Sequence, residues 1–209
     1  MKKNIFLAGI VLLFAACSND NETVVNNNDG LAPVRVHVSG FTVSQEEFPE
    51  TRATAVASYN DVNAVMLAFY KTDGTEAYKT TQAKNEADFG EFSLSLPMGS
   101  YTMVAVAYYN SDASPLELTS PTVAAFTGTR AYETFAYTQE VVISNTEAVD
   151  ISATLDRIVS KLQVISTDGK TADVTNVRMT FSAGGKSFNP TTGLATVNSG
   201  FANTVSNSA

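Results

Sequence analysis

The chain contains few side chains with the chemistry for catalysis or metal binding. His37 is its one histidine and Cys17 its one cysteine, so clusters of imidazole or thiolate ligands are excluded. A Ser-His-Asp triad would have to use His37, which alternates with valines and therefore fits an outward-facing polar residue on a strand. We predict that the protein is not an enzyme, and nothing in the sequence implies a cofactor or a metal site.

Acidic and glycine pairs fit structural roles better than chemical ones. Glu46-Glu47 has no flanking group suited to proton transfer, and Asp150 and Asp156 alternate with apolar residues, as on a solvated strand face. Gly184-Gly185 predicts a turn, because no strand-to-helix context with a lysine follows it, as a phosphate-binding loop requires.

Cys17 follows a segment with the order of a bacterial export signal. Two lysines precede the apolar run Ile5–Phe14, and the bond between Ala16 and Cys17 is the expected cleavage point. The run is too short to span a bilayer, which takes about 20 apolar residues. A cysteine at the first mature position predicts a bacterial lipoprotein, acylated at Cys17 and held on the membrane by its lipid. The alternative is an ordinary secretory signal that ends beside a cysteine.

The composition predicts packed structure with an acidic surface. Of the 209 residues, 44% are hydrophobic, and the net charge of −8 becomes more negative if Lys2 and Lys3 leave with the signal. An acidic surface argues against nucleic acid as a partner. A single cysteine allows no internal disulfide, so packing must supply the stability.

Four regions are expected along the chain. Residues 1–16 are the signal peptide, and residues 17–31, rich in Asn and Asp, form a flexible tether with too little apolar surface to fold. Residues 32–169 are expected to form an N-terminal β-sandwich. Residues 170–209 either begin a second, incomplete sandwich domain or supply C-terminal strands.

Alternation of apolar and polar residues predicts an all-β chain of short strands. The expected strands are 34–38, 62–70, 92–96, 101–109, 141–143, 149–165, 174–182 and 194–197. The segment after Leu155 also fits helical spacing, but a strand through Ile165 is favoured. Short antiparallel strands with frequent turns indicate a β-sandwich.

Turns and irregular segments separate these strands. Asp73-Gly74 and Asp168-Gly169 predict hairpin turns, and Gly99 suits a left-handed turn position. Residues 110–135 are expected to be irregular, with one helical turn near 131–133. The tail 203–209 shows no strand pattern.

Five segments, taken in order, resemble the fimbrillins and fimbrial-anchor lipoproteins of Bacteroidales type V pili. The last two resemble that family's Pro-x-Gly-x-Tyr turn and its Leu-x-Arg-x-Val-x-Lys-Leu strand. The segments are the Cys17 lipobox and residues 50–53, 62–74, 96–105 and 155–164. The resemblance extends over most of the chain.

The resemblance implies a transthyretin-like Greek-key sandwich and a role in adhesion and fibre building. In that family an arginine-specific protease removes the first strand at an Arg-Ala bond, and a strand from the next subunit fills the groove by β-strand addition. The removable strand would be 34–41, and Arg52-Ala53 would be the scissile bond in an exposed loop. The same Thr-Arg-Ala sequence recurs at 129–131.

The implied protein is a fimbrial subunit or a fimbrium-associated adhesion lipoprotein. Its partners would be other fimbrial subunits, the outer membrane through the lipid anchor, and receptors on host or bacterial surfaces. It would lie on the surface-exposed side of the outer membrane, or in the fimbrium after proteolytic maturation.

The alternative function is a surface lipoprotein that binds glycans for nutrient uptake. Tyr101, Tyr108 and Tyr109 could form a binding stripe, although alternation places Tyr108 on the face opposite to Tyr101 and Tyr109. Core packing is the favoured use of these rings, and the absence of tryptophan removes a common platform for sugars.

Overall fold

The computed structural model describes residues 30–45, 48–54, 61–128, 131–159 and 176–206. Every regular element in these ranges is a β-strand. The strands are β1 (Leu31–Gln45), β2 (Phe48–Thr54), β3 (Ala64–Lys71), β4 (Glu76–Ala83), β5 (Glu91–Pro97), β6 (Gly99–Tyr108), β7 (Leu116–Ser120), β8 (Val123–Phe126), β9 (Thr134–Ile143), β10 (Val149–Arg157), β11 (Asn176–Phe188) and β12 (Ala195–Ser206).

The strands form three layers, of which the middle one is antiparallel. In the middle layer the order is β9-β6-β3-β4. The first outer layer contains β5, β1, β10 and β2, and it joins the middle layer at a corner where Asp156 and Arg157 of β10 pair with Ala136 and Phe135 of β9. The second outer layer is the sheet β12-β11-β8-β7. The all-β, Greek-key sandwich prediction is confirmed.

Two separate hydrophobic cores fill the spaces between the layers. The first joins β1, β5 and β10 to one face of β3, β6 and β9. The second lies on the opposite face of the middle layer, against β7, β8 and Phe188 of β11. Both faces of the middle strands are therefore buried, which explains why residues 62–70 and 101–108 read as nearly continuous apolar runs.

The turns at Asp73-Gly74 and Gly99 are where the sequence predicts them. Gly74 has a φ of +83°, and the backbone N–H of Thr75 donates to the Asp73 carboxylate at 2.9 Å. Gly99 has a positive φ of +158°, which is extended rather than left-handed helical. Its turn carries the chain from the first outer layer into the middle layer.

The prediction that residues 110–135 are irregular is wrong. The segment contains β7, β8 and the first residues of β9, and residues 131–133 form no helical turn. β4 was not predicted, because its residues are mostly polar at a sheet edge and alternate weakly.

The C-terminal predictions also need correction. Gly184-Gly185 lies inside β11 at a register shift rather than in a turn, and a Cβ on Gly185 would come within 2.8 Å of Ala195 and Thr196. β12 extends to Ser206, into the tail predicted to lack a strand. β10 ends at Arg157, and residues 160–175, with the Asp168-Gly169 turn, lie outside the described residues.

The boundary between 32–169 and 170–209 stays a prediction. In the described residues, β11 pairs with β8 through Ser187 and Phe188, and Phe188 is buried in the second core. The C-terminal strands thus complete a layer over the middle sheet.

The corner between β9 and β10 contains a largely buried ion pair. Arg157 donates to the Glu133 carboxylate at 2.7 Å, and both side chains are about 85% buried, with exposed fractions of 14% and 15%. Removing one partner of such a pair leaves the other charge desolvated, which is costly. Loss of either side chain alone should therefore weaken the join between the first two layers.

Tyr70 makes the stability of the protein sensitive to alkaline pH. Burial, with a smaller contribution from the nearby Glu76 carboxylate, raises the pKa of Tyr70 to about 12. The unfolded chain has a tyrosine pKa of about 10, so stability from a neutral Tyr70 is complete below that pH and is lost as pH rises through the folded pKa.

We therefore expect Tyr70→Phe to reduce the alkaline loss of stability. Between about pH 8 and about pH 11, wild type should lose about 1 kcal/mol more unfolding free energy than the variant, as measured by urea denaturation. Burial also raises the pKa values of Tyr101 and Tyr108, but both residues are present in wild type and in the variant, so their contributions cancel in the difference between the two proteins. The exposed Tyr109→Phe is the control and should behave as wild type; equal losses in all three proteins would contradict the prediction.

Candidate functional site

The described residues contain no arrangement suited to metal-dependent chemistry. No group of three or more His, Cys, Asp or Glu side chains in them could hold a metal ion. None of the described segments is a helix long and apolar enough to cross a membrane. The feature that sets this fold apart is instead the position of its first strand.

β1 is an interior strand with neighbours on both sides. On one side it runs parallel to β10, with Val34 opposite Val149 and Thr42 opposite Asp156. On the other side, Leu31–His37 pair antiparallel with β5, and the end of the strand pairs with β2. Because β5 and β10 both pair with β1, the N-terminal strand holds the first outer layer together.

Between Ala32 and Phe41, the inward face of β1 is apolar and buried. Val34, Val36 and Val38 are each 0–1% exposed, and they pack into the first core with Ala32. Phe41 is also buried, and its ring centroid lies 4.4 Å from that of Phe135. Alternate residues of β1 thus fill the space between the two layers.

A shift in register separates the valines of β1 from Phe41. The pairing with β10 changes between Val38 and Gly40. At the shift the Ser39 hydroxyl donates to the Ala153 carbonyl at 3.2 Å and lies 3.0 Å from the Thr154 hydroxyl. The shift lets Phe41 continue the buried face after an extra residue.

The outward face of β1 carries two basic side chains, one paired with each neighbouring strand. Arg35 lies 3.5 Å from the Asp150 carboxylate on β10. His37 bonds through Nδ1 to the Glu91 carboxylate on β5. All four side chains are more than half exposed, so His37 points outward as the sequence predicts, and Asp150 and Asp156 lie on a solvated face.

The predicted cleavage site lies in a strand rather than in a loop. Arg52 and Ala53 belong to β2, where they pair with Val43 and Thr42 of β1. β2 is the last strand of its sheet, so its other edge has no partner strand among the described residues. Ala16 and Cys17 lie outside the described residues.

The tyrosines divide between the two cores and the surface. Tyr101 is buried in the first core and Tyr108 in the second, on opposite faces of β6, as alternation predicts. The prediction that Tyr108 could contact a glycan is therefore wrong. Tyr109 is 41% exposed, and its ring lies 5.4 Å from that of Tyr132.

Sequence reasoning missed the acidic partners of β1. Glu91 and Asp150 are far from β1 along the chain, and only strand pairing brings them opposite His37 and Arg35. The one available signal was the Val-Arg-Val-His-Val alternation, which places two basic groups on the same exposed face.

The buried face of β1 should matter far more to stability than an exposed strand face. Val36→Ala removes two methyl groups from the first core and should lower the unfolding free energy by about 2 kcal/mol. Val142→Ala, on β9, is the matched control, because Val142 is 68% exposed and loses the same groups. Urea denaturation of both variants tests this, and equal losses would show that β1 does not pack as described.

Several solved structures are similar to this chain, including the following three. A candidate adhesin from Bacteroides ovatus has a TM-score of 0.53 at 13% identity, covering 82% of this chain and 61% of that one. The fimbrial anchor protein Mfa2 from Porphyromonas gingivalis has a TM-score of 0.48 at 15% identity, covering 83% and 66%. A candidate polysaccharide-binding protein from Bacteroides thetaiotaomicron has a TM-score of 0.41 at 14% identity, covering 60% and 47%.

These comparisons establish a shared fold and a family. At such identities the match to the Bacteroides ovatus structure shows the fold alone, and the chain spans between about half and two thirds of the three solved chains. No curated protein matches the chain. The family model of the fimbrillin-A associated anchor proteins Mfa1 and Mfa2 matches residues 26–207. The chain therefore belongs to this family of fimbrium-associated anchor proteins.

Proposed function

We propose that the protein assembles with other fimbrial subunits at the cell surface by β-strand complementation. Membership of the anchor family supports the fimbrial association. The observation that carries the assembly mechanism is that β1 completes the first outer layer between β5 and β10, with every inward side chain from Ala32 to Val38 buried.

Loss of β1 would create a site for another strand. It would leave the backbone N–H and C=O groups of β5 and β10 without ladder partners over most of their length. It would also expose the first core to water. A strand from a neighbouring subunit with alternate apolar residues would restore both the hydrogen bonds and the packing.

Cleavage at Arg52-Ala53 is the proposed route to that state. A cut there would separate β1 and the first residues of β2 from the rest of the chain. The terminal position of β2 in its sheet supports access, because a protease must bind its substrate in an extended form. A chain that is not cut would keep its own first strand and serve as an anchor or a tip.

The proposal includes attachment to the outer membrane. Cleavage after Ala16 and acylation of Cys17 would hold the protein by its lipid, with residues 18–29 as the spacer to β1. The surface-exposed body would then present the groove to fimbrial subunits, and it would present its outer faces to receptors on host or bacterial surfaces.

The N-terminus of the mature protein tests these steps. We expect mass spectrometry of outer-membrane and shed-fibre fractions from the native host to find acylated Cys17 in the membrane and Ala53 in the fibres. Arg52→Ala should abolish the Ala53 start, whereas Arg130→Ala, in the second Thr-Arg-Ala sequence, should leave it unchanged. A chain that starts at Cys17 in every fraction would contradict cleavage and leave the anchor role.

The alternative function, glycan capture for nutrient uptake, now rests on Tyr109. Its partly exposed ring packs beside Tyr132, and Ser111 and Asn110 lie next to it in the chain. If this surface binds sugars, calorimetry should detect saturable binding of a polysaccharide, weakened about tenfold or more in Tyr109→Ala through loss of the ring contact. Tyr137→Ala, on β9, is the control. No binding across a broad glycan array would exclude the alternative.

A further inference from the structure

We propose that Glu91 and Asp150 form an acidic rim around the β1 groove, which selects a donor strand with basic residues at two outward positions. The proposal rests on strand complementation and adds the specificity of the groove. The donor is assigned to a neighbouring fimbrial subunit, with β1 itself as the template for its sequence.

The acidic rim is inferred from the distribution of ionisable side chains on β1, β5 and β10. At the outward positions of β1, β5 and β10, the basic residues are Arg35 and His37, and both belong to β1. When β1 leaves, the remaining ionisable groups on that face of β5 and β10 are Glu91, Asp150 and Asp156, all exposed. The groove then has carboxylates on both sides and neither of the basic side chains that now pair with them.

The carboxylates of Asp150 and Glu91 lie where they would contact two alternate outward residues of a donor strand. Arg35 contacts Asp150 across the parallel pairing with β10, and His37 contacts Glu91 across the antiparallel pairing with β5. A donor with basic residues at these two positions would meet one carboxylate on each side. A donor with acidic residues there would face two like charges, which destabilises a strand pair.

The charges can distinguish pairing registers that the alternation of apolar residues does not distinguish. A slip of one residue turns the apolar side chains of a donor outward, so the first core already opposes it. A slip of two residues keeps those side chains inward, and the valine pattern of β1 hardly opposes it. The acidic rim opposes the two-residue slip, because one basic residue would then lose its partner.

The expected effect is modest because the pairs are exposed. The side chains of Arg35 and Asp150 are 64% and 69% exposed, so water and salt screen the attraction. Replacing both attractions by repulsions should change donor preference by about tenfold at low salt. The apolar face contributes most of the binding free energy, and the rim adds a preference between strands and between registers two residues apart.

A competition between two peptides during refolding of the full chain tests whether the acidic rim selects a basic donor strand. A protease recognition sequence is inserted between Ala57 and Ser58, the chain is cut, and the nicked protein is unfolded in urea. It is then diluted with an excess of two peptides of residues 31–45, one native and one with Arg35→Glu and His37→Glu. Native mass spectrometry measures how much of each peptide the refolded body contains.

We expect about tenfold more native than charge-reversed peptide, and a smaller ratio at high salt. In a body with Glu91→Lys and Asp150→Lys the preference should reverse.

Equal incorporation of the two peptides in both bodies would overturn the acidic rim and leave strand complementation intact. Incorporation of neither peptide, with only the resident strand returning, would instead overturn complementation. Multimers formed without added peptide would assign the groove to a second copy of this chain and overturn the assignment to a separate subunit.

The intact chain provides a second test if the nicked protein does not refold. Arg35→Glu with His37→Glu should lower the urea midpoint, and adding Glu91→Lys with Asp150→Lys should restore it. Adding Asp88→Lys instead, which reverses the charge of an exposed carboxylate on the turn before β5, is the matched control and should not restore the urea midpoint. A loss that the paired reversal does not recover would overturn the rule.

Discussion

The burial of the middle layer on both faces is the constraint on which the rest of this structure depends. β3 and β6 have no polar face, so each side must be covered by another layer before either strand is stable in water. On one side the cover is β1, β5 and β10; on the other it is β7, β8 and Phe188. The order of the layers follows from that requirement.

The two covers differ in how they are built. In the second outer layer, β7 and β8 lie between β6 and β9 in the chain and form a hairpin, and β11 and β12 follow β10. The first outer layer depends on β1, which comes from the extreme N-terminal part of the described chain and pairs with β10, far away in sequence. A layer completed by a terminal strand can lose that strand by one cut, without breaking any other connection. This geometry makes exchange of β1 physically reasonable.

The two faces of β1 have separate physical roles. Its buried valines contribute most of the free energy of packing, since apolar burial is large and insensitive to salt. Its outward Arg35 and His37 contribute little energy, because exposed pairs are screened, but they distinguish registers that the three valines alone would accept. In the proposed strand exchange, affinity and selectivity would therefore arise from alternate residues of one strand.

The sequence by itself determined the all-β class, most strand positions, the outward direction of His37, the opposite faces of Tyr101 and Tyr108, and the resemblance to fimbrial proteins. These depend on alternation, turn residues and local motifs, which a single segment contains. Tertiary structure alone decided that β7 and β8 form within 110–135, that Arg52-Ala53 lies in β2, and that Glu91 and Asp150 flank β1. The physical reason is that a weakly alternating strand forms only when a neighbour supplies its hydrogen bonds, and pairs distant in sequence meet only after the layers pack.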